Sequence, residues 1–234
     1  MARPRFIAAL PVAASLALGH GTSAVAADYD HPTVIELFQS QGCSSCPPAN
    51  ANLNAIAGRP DVLALSFAVT YWDRLGWKDI FARPAFTQRQ WDYAKSGGRG
   101  NVSTPQMIVN GRGVLIGHSS KQVSAFVRRY DRGTTGPAIV GSAGRVTIGK
   151  AVAKPAIVWL VRYDPRVRNV PIRAGENGGR TLPHRNIVRS LQMLGRWRGE
   201  SVSFAVPPSS DRAYRSAVLV QQGRGGPIIA ARRL

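Results

Sequence analysis

The chain has two cysteines in 234 residues, and 12 Asp and Glu against 31 Lys and Arg. Two thiols exclude the disulfide framework that small secreted domains use in place of a core. Also missing are a Ser-His-Asp pattern, a phosphate-cradling glycine loop and zinc ligands at working spacing; His31, His118 and His184 each stand singly. No nucleic-acid recognition motif occurs, and nucleic acid is excluded as a partner. After residue 27 no apolar run is long enough to span a bilayer, so no transmembrane anchor is expected in the processed chain.

The first 27 residues read as an export signal. Arg3 and Arg5 form a basic start, Phe6 to Leu18 an apolar stretch too short for a stable anchor, and Ala24-Val25-Ala26 an A-x-A cleavage site. The expected location is the periplasm or outside the cell. The remaining chain of about 207 residues can build one or two ordinary cores without disulfides. The net charge of +19 is uneven: 135–234 holds 17 Lys and Arg against 4 Asp and Glu. Such a half either attracts an acidic envelope component or is a solvated basic face.

Both cysteines lie in ELFQSQGCSSCPPAN, residues 36–50. An apolar strand from Val34 runs into a turn at Gly42, and a helix follows whose first turn holds Pro47 and Pro48. Prolines are tolerated there because first-turn N–H groups lack intrahelical partners, and Ser44 or Ser45 is the expected N-cap. A thiol at a helix N-terminus meets free N–H groups and the positive dipole end, which favour thiolate. The two-residue spacing predicts Cys43 exposed as attacking thiol and Cys46 turned inward to resolve the mixed disulfide. A loop this short removes little entropy from the unfolded chain, so a purely structural bridge is weakly motivated.

Downstream, Ala49 to Gly58 completes the helix and Asp61 to Thr70 is a second buried strand; strand, helix and strand imply a parallel pair. Tyr71 to Lys95 is dense in aromatic residues, either a peptide surface beside the dithiol or a packed insertion. Its end, Thr87 to Lys95, is predicted helical. In Val102 to Gly117, Asn110-Gly111 between apolar runs signals a hairpin, and Pro105 at a strand start suggests a cis Thr104–Pro105 bond. A helix capped at His118 to Lys121 ends near Tyr130.

This ordered set resembles the thioredoxin fold. More narrowly, ELFQSQGCSSCPPAN, YWDRLGWKDIF, STPQMIVNG and RAGENGGRTLPHRNIVR are similar to the DUF1223 family of secreted bacterial proteins. The resemblance implies Cys43 as nucleophile and Cys46 as resolving thiol. It implies Pro105 as the cis-proline beside them, with the Thr104 backbone open to an extended substrate. Glu36 then stands where thioredoxins keep a buried carboxylate, either to accept the Cys46 proton or as a structurally paired Glu.

Short β-rich runs recur over 135–234: Arg145 to Lys150, Pro155 to Tyr163, Val167 to Arg173, Ser201 to Val206, Ala213 to Gln221 and Pro227 to Ala231. The expected architecture is therefore an α/β thioredoxin-like domain over 28–134, a linker near 131–137, and a basic β-rich, sandwich-like domain over 135–234. Arg173 to Arg189 stands out as polar, either an Arg cradle for carboxylate or phosphate or a self-paired loop.

Three functions fit. One is thiol–disulfide exchange with thiols or disulfides of exported proteins and a redox partner, without a cofactor. The second is a Cu(I) module using both thiolates and His118. The third is a non-catalytic basic envelope-binding protein whose Cys43–Cys46 bridge is structural.

Overall fold

The computed structural model describes residues 26–234; the segment read as an export signal lies almost wholly outside them. The first half runs β1 (Thr33–Gln39), α1 (Cys46–Ile56), β2 (Val62–Ala68), α2 (Pro84–Ser96), β3 (Gln106–Val109), β4 (Gly113–Leu115) and α3 (Ser120–Arg129). The second half is all strand: β5 (Ile139–Ser142), β6 (Arg145–Ile148), β7 (Ala156–Asp164), β8 (Arg168–Pro171) and β9 (Thr181–His184), then β10 (Ile187–Trp197), β11 (Val202–Ala205), β12 (Arg215–Gln221) and β13 (Ile228–Arg233).

One mixed eight-stranded sheet spans both halves in the order β13-β12-β7-β10-β2-β1-β3-β4. β1 and β2 pair in parallel and every residue of both is buried, the signature of strands covered on two faces. β3 pairs antiparallel to β1 and turns into β4 through Asn110 and Gly111, both at positive φ, as a type I′ hairpin needs. The Thr104–Pro105 peptide is cis. α2 starts at Pro84, and its buried Phe86, Arg89, Gln90, Tyr93 and Ala94 recur at helical spacing. The Ser119 hydroxyl accepts the Gln122 N–H at the head of α3. Among the described residues no helix is long and apolar enough to cross a membrane.

The expected separate sandwich is corrected by this topology. β7, β10, β12 and β13 extend the first half's sheet, while β5, β6 and β11 form a small three-stranded sheet and β8 and β9 a two-stranded one. The three-stranded sheet packs on the shared face through Ile139, Val146 and Ile148 against Val158, Leu160, Val218 and Val220. On the same face, α1 and α3 cover Ile35 and Leu37 with Ala49, Leu53, Val123 and Val127. The opposite face joins Phe38, Phe67, Phe86 and Tyr93 to Trp159, Val161 and Leu219, so one core crosses the expected 134/135 boundary.

Inside that crossing core lies one ion pair. Glu36, fully buried, accepts from Arg89 Nε at 2.6 Å and Nη2 at 3.1 Å and from the Tyr93 hydroxyl. Gln221 of β12 closes the network, its Oε1 accepting from Arg89 and its Nε2 donating to Tyr93. Removing one partner of such a pair strands the other charge in a desolvated site. Glu36→Gln is therefore expected to destabilise the chain by about 3–5 kcal/mol, read as a lower urea midpoint. A midpoint shift worth less than about 1 kcal/mol would contradict this account of the pair.

Candidate functional site

β1 delivers the chain to the cysteine turn. The Cys43 N–H donates to Ser40 O at 3.2 Å, the Gly42 N–H to Ser40 Oγ at 3.1 Å, and the Cys46 N–H to Cys43 O at 3.1 Å. Cys43 and Cys46 are joined in a disulfide with Cα atoms 5.4 Å apart. Cys46 is the first residue of α1, Pro47 and Pro48 fill the first turn, and Ser45 holds the N-cap position without a side-chain cap bond. The Ser45 hydroxyl lies instead 3.4 Å from Cys43 Sγ and donates to Thr104 O at 3.5 Å. Thr104 and Pro105 thus flank the turn, and Trp72 Nε1 donates to Thr104 Oγ1 at 2.6 Å. His118 lies on the same rim, its Nε2 2.8 Å from Ser45 O; a carbonyl only accepts, so that nitrogen carries the hydrogen.

Cys43 is not exposed, contrary to the spacing argument: it is 0% exposed and Cys46 1%. Residues 175–180, more than 130 positions beyond Cys43, are bonded to the turn. Asn177, fully buried, donates from Nδ2 to both Gln41 O and Cys43 O at 2.9 Å, and Arg180 holds the Asn177 Oδ1 at 2.8 Å. Glu176 accepts from the Ser44 N–H at 3.0 Å and the Ser44 hydroxyl at 2.6 Å, and these bonds hold its carboxyl below the usual range. Gly175 seats the loop at φ 72°, where a Cβ would lie 3.2 Å from Trp77 Cβ and 3.3 Å from Leu75 O. The aromatic stretch divides: Phe86 and Tyr93 enter the core, while Trp72 and Trp77 wall the turn, Trp77 Nε1 donating to Gln41 Oε1 at 2.9 Å.

Glu36 is not brought to the disulfide. Along β1 alternate side chains face opposite ways. Ile35 and Leu37 meet α1, whereas Glu36 points to the other face and is bound there by Arg89 and Tyr93. A carboxylate absent from the sequence reading stands closer to the cysteine turn. Asp79, in the YWDRLGWKDIF stretch, accepts the Gln41 N–H at 2.8 Å and the Phe81 N–H at 2.8 Å. Burial outweighs these bonds and raises its carboxyl to about 6. The motif itself was the available signal; which of its residues turns inward depends on pairing with Gln41.

Arg173 to Arg189 does not close into one anion cradle. Glu176, Asn177 and Arg180 go to the cysteine turn, and Asn186 Nδ2 donates to Ala64 O of β2 at 2.8 Å. The Arg189 guanidinium lies over Phe81 and Tyr214. His184 is buried beside Asn50, and desolvation lowers its imidazole to about 4. Among the described residues no three His, Cys, Asp or Glu gather to hold a metal ion.

The family model described as "Protein of unknown function (DUF1223)" matches residues 34–221, and the chain belongs to this family. A crystal structure of a protein from Agrobacterium tumefaciens is similar at 31% identity, with TM-score 0.72 over 89% of this chain and 94% of that one. HBP35 of Porphyromonas gingivalis shares the fold at 13% identity, with TM-score 0.59 over 89% of this chain and 76% of that one. No curated protein matches the chain.

Asp79 carries a pH dependence of definite sign. Its carboxyl titrates near 3.8 in an unfolded chain and near 6 when buried, so the folded protein holds a proton that the unfolded chain has released. Its contribution to stability is greatest below about pH 4 and falls as pH rises through about 6. Urea denaturation of the parent and of Asp79→Asn should show the stability difference moving against the parent across that window. A difference constant from about pH 4 to 7 would refute the assignment.

Proposed function

We propose that this DUF1223 protein is an exported thiol–disulfide oxidoreductase working through Cys43 and Cys46. The observation that carries the reading is the disulfide at the first turn of α1, with Ser45 and Thr104 against it. In support, the β2-β1-β3-β4 order, the cis Thr104–Pro105 peptide before β3 and the closing α3 match the layout of a thioredoxin-like unit. The residues before 28 read as an export signal, which directs the reading to the periplasm or outside the cell. Acidic envelope components are the partners that the basic second half favours.

In the oxidised form a substrate thiolate attacks Cys43 Sγ, and Cys46 leaves as thiolate. A second substrate thiolate then attacks the substrate sulfur of the mixed disulfide and displaces Cys43. The substrate gains a disulfide and the protein gains two electrons; the reduced pair runs the same steps in reverse on a substrate disulfide. Both sulfurs are buried, and in this reading the Glu176–Asn177 loop, bonded to the turn beside them, lifts to admit a substrate in either direction. The loop is held mainly by four hydrogen bonds to the cysteine turn, which a substrate strand is able to replace.

The same burial favours one rival, an inert structural bridge. Equilibrium titration against a glutathione or dithiothreitol buffer separates the two. A potential between about −120 and −270 mV supports exchange, and one well below about −300 mV supports the inert bridge. Cys46→Ser should trap mixed disulfides on Cys43, while Cys43→Ser should trap none. Asn177→Ala removes two bonds to the turn and should speed reduction by dithiothreitol about tenfold or more. An unchanged rate would mean that the loop does not guard the sulfurs.

A further inference from the structure

A second site lies at the other end of α1. The helix spans 11 residues, roughly 16 Å, between the disulfide and the Ala57–Gly58 turn. Beyond that turn a groove of about 440 Å³ opens against the second half of the chain. Arg59, Arg166, Arg185, Arg215 and Arg233 line it together with Tyr163, and no Asp or Glu does.

The five arginines are not equivalent. Arg59 is paired with Asp61, and Arg166 with Asp164, both in bidentate geometry. Arg233 donates to the carbonyls of Tyr29, Pro60 and Val62, which hold it in place but do not neutralise it. Arg185, its guanidinium over Gly58, and Arg215 meet no carboxylate or carbonyl acceptor among the described residues. Three uncompensated guanidinium groups therefore converge on one groove, two of them with every side-chain donor open. The two ion pairs and four buried or half-buried neighbours fix the walls around them.

We infer that this groove binds a phosphate monoester, either free or as a lipid headgroup, through Arg185 and Arg215, with Arg233, whose Nη donors go to backbone carbonyls, adding its charge. Planar guanidinium forks match tetrahedral phosphate oxygens bidentately, and a dianion answers several converging positive charges better than one carboxylate does. The volume lies at the small end of ligand sites, suited to a phosphorylated sugar-sized group and not to an extended chain. The site does not use the cysteines and stands independently of the redox reading.

The test is calorimetric titration of the full chain with glucose 6-phosphate, with glucose as control, together with flotation on phosphatidylcholine vesicles with and without phosphatidic acid. The expected result is binding of at least one phosphomonoester source and none of the matching control, glucose or phosphatidylcholine alone, that lacks the monoester. Arg185→Gln with Arg215→Gln should weaken it about tenfold or more, while Arg198→Gln, outside the groove, leaves it unchanged. Binding of the soluble ester alone assigns a free ligand, and binding of the vesicles alone assigns a headgroup. Arg215 is exposed, so Arg215→Gln alone keeps the fold and should lose affinity in the same direction. Neither source binding, or Arg198→Gln weakening binding as much as the groove variants, would overturn the proposal and leave only diffuse charge.

Discussion

The seam between β2 and β10 is the constraint on which the rest of the molecule depends. The two strands pair in parallel at one register position, Ile187 opposite Ser66. Asn186 reinforces it from a left-handed conformation, its carbonyl accepting the Ser66 N–H and its side chain donating to Ala64 O. Through this short contact the second half joins the first half's sheet, bringing the 175–180 loop over the cysteine turn and Arg185 over Gly58. The large apolar core on the opposite face makes the contact sufficient, since Trp159, Val161 and Leu219 bury against Phe38 and Phe67.

Much of the first half was legible because its signals are local. Apolar runs bounded by Gly and Pro mark β1 and β2, Asn110-Gly111 marks the hairpin, and Ser119 marks the head of α3. The six β-rich runs read in the second half all contain strands. What escaped was β10, the longest strand in its sheet. Its sequence IVRSLQMLGRW is interrupted by register shifts after Val188 and Met193, so no single alternation runs through it. β9 was hidden in the polar Arg173 to Arg189 stretch, and β5 in the Gly-rich run after the linker. With β10 missing, the second half reads as a sandwich of its own.

The site shows the same division. The cysteines were read from their spacing, Pro105 from its place at a strand start, and Thr104 from the family resemblance; the fold brings them together. Of the two readings of Glu36 the structurally paired one holds, since a strand assigns side chains to alternate faces and α1 covers the other one. Asp79, Glu176 and Asn177 lie in stretches that the sequence marks out, but nothing local states which backbone groups they meet. Each acts on backbone groups of the turn: Asp79 on the Gln41 N–H, Glu176 on the Ser44 N–H, Asn177 on two carbonyls. Buried backbone groups demand partners, and here distant side chains supply them.

The distance in sequence between the turn and its distant partners has a temporal meaning. Cys43 and Asn177 are 134 positions apart. A chain made from its N-terminus contains the residues of β1, α1 and β2 long before those of the 175–180 loop. Throughout that interval the bonds from Glu176 and Asn177 to the turn are missing; the finished chain adds them. The partners of the cysteine turn thus arrive in two stages, the local ones with the first quarter of the chain and the distant ones with its last third.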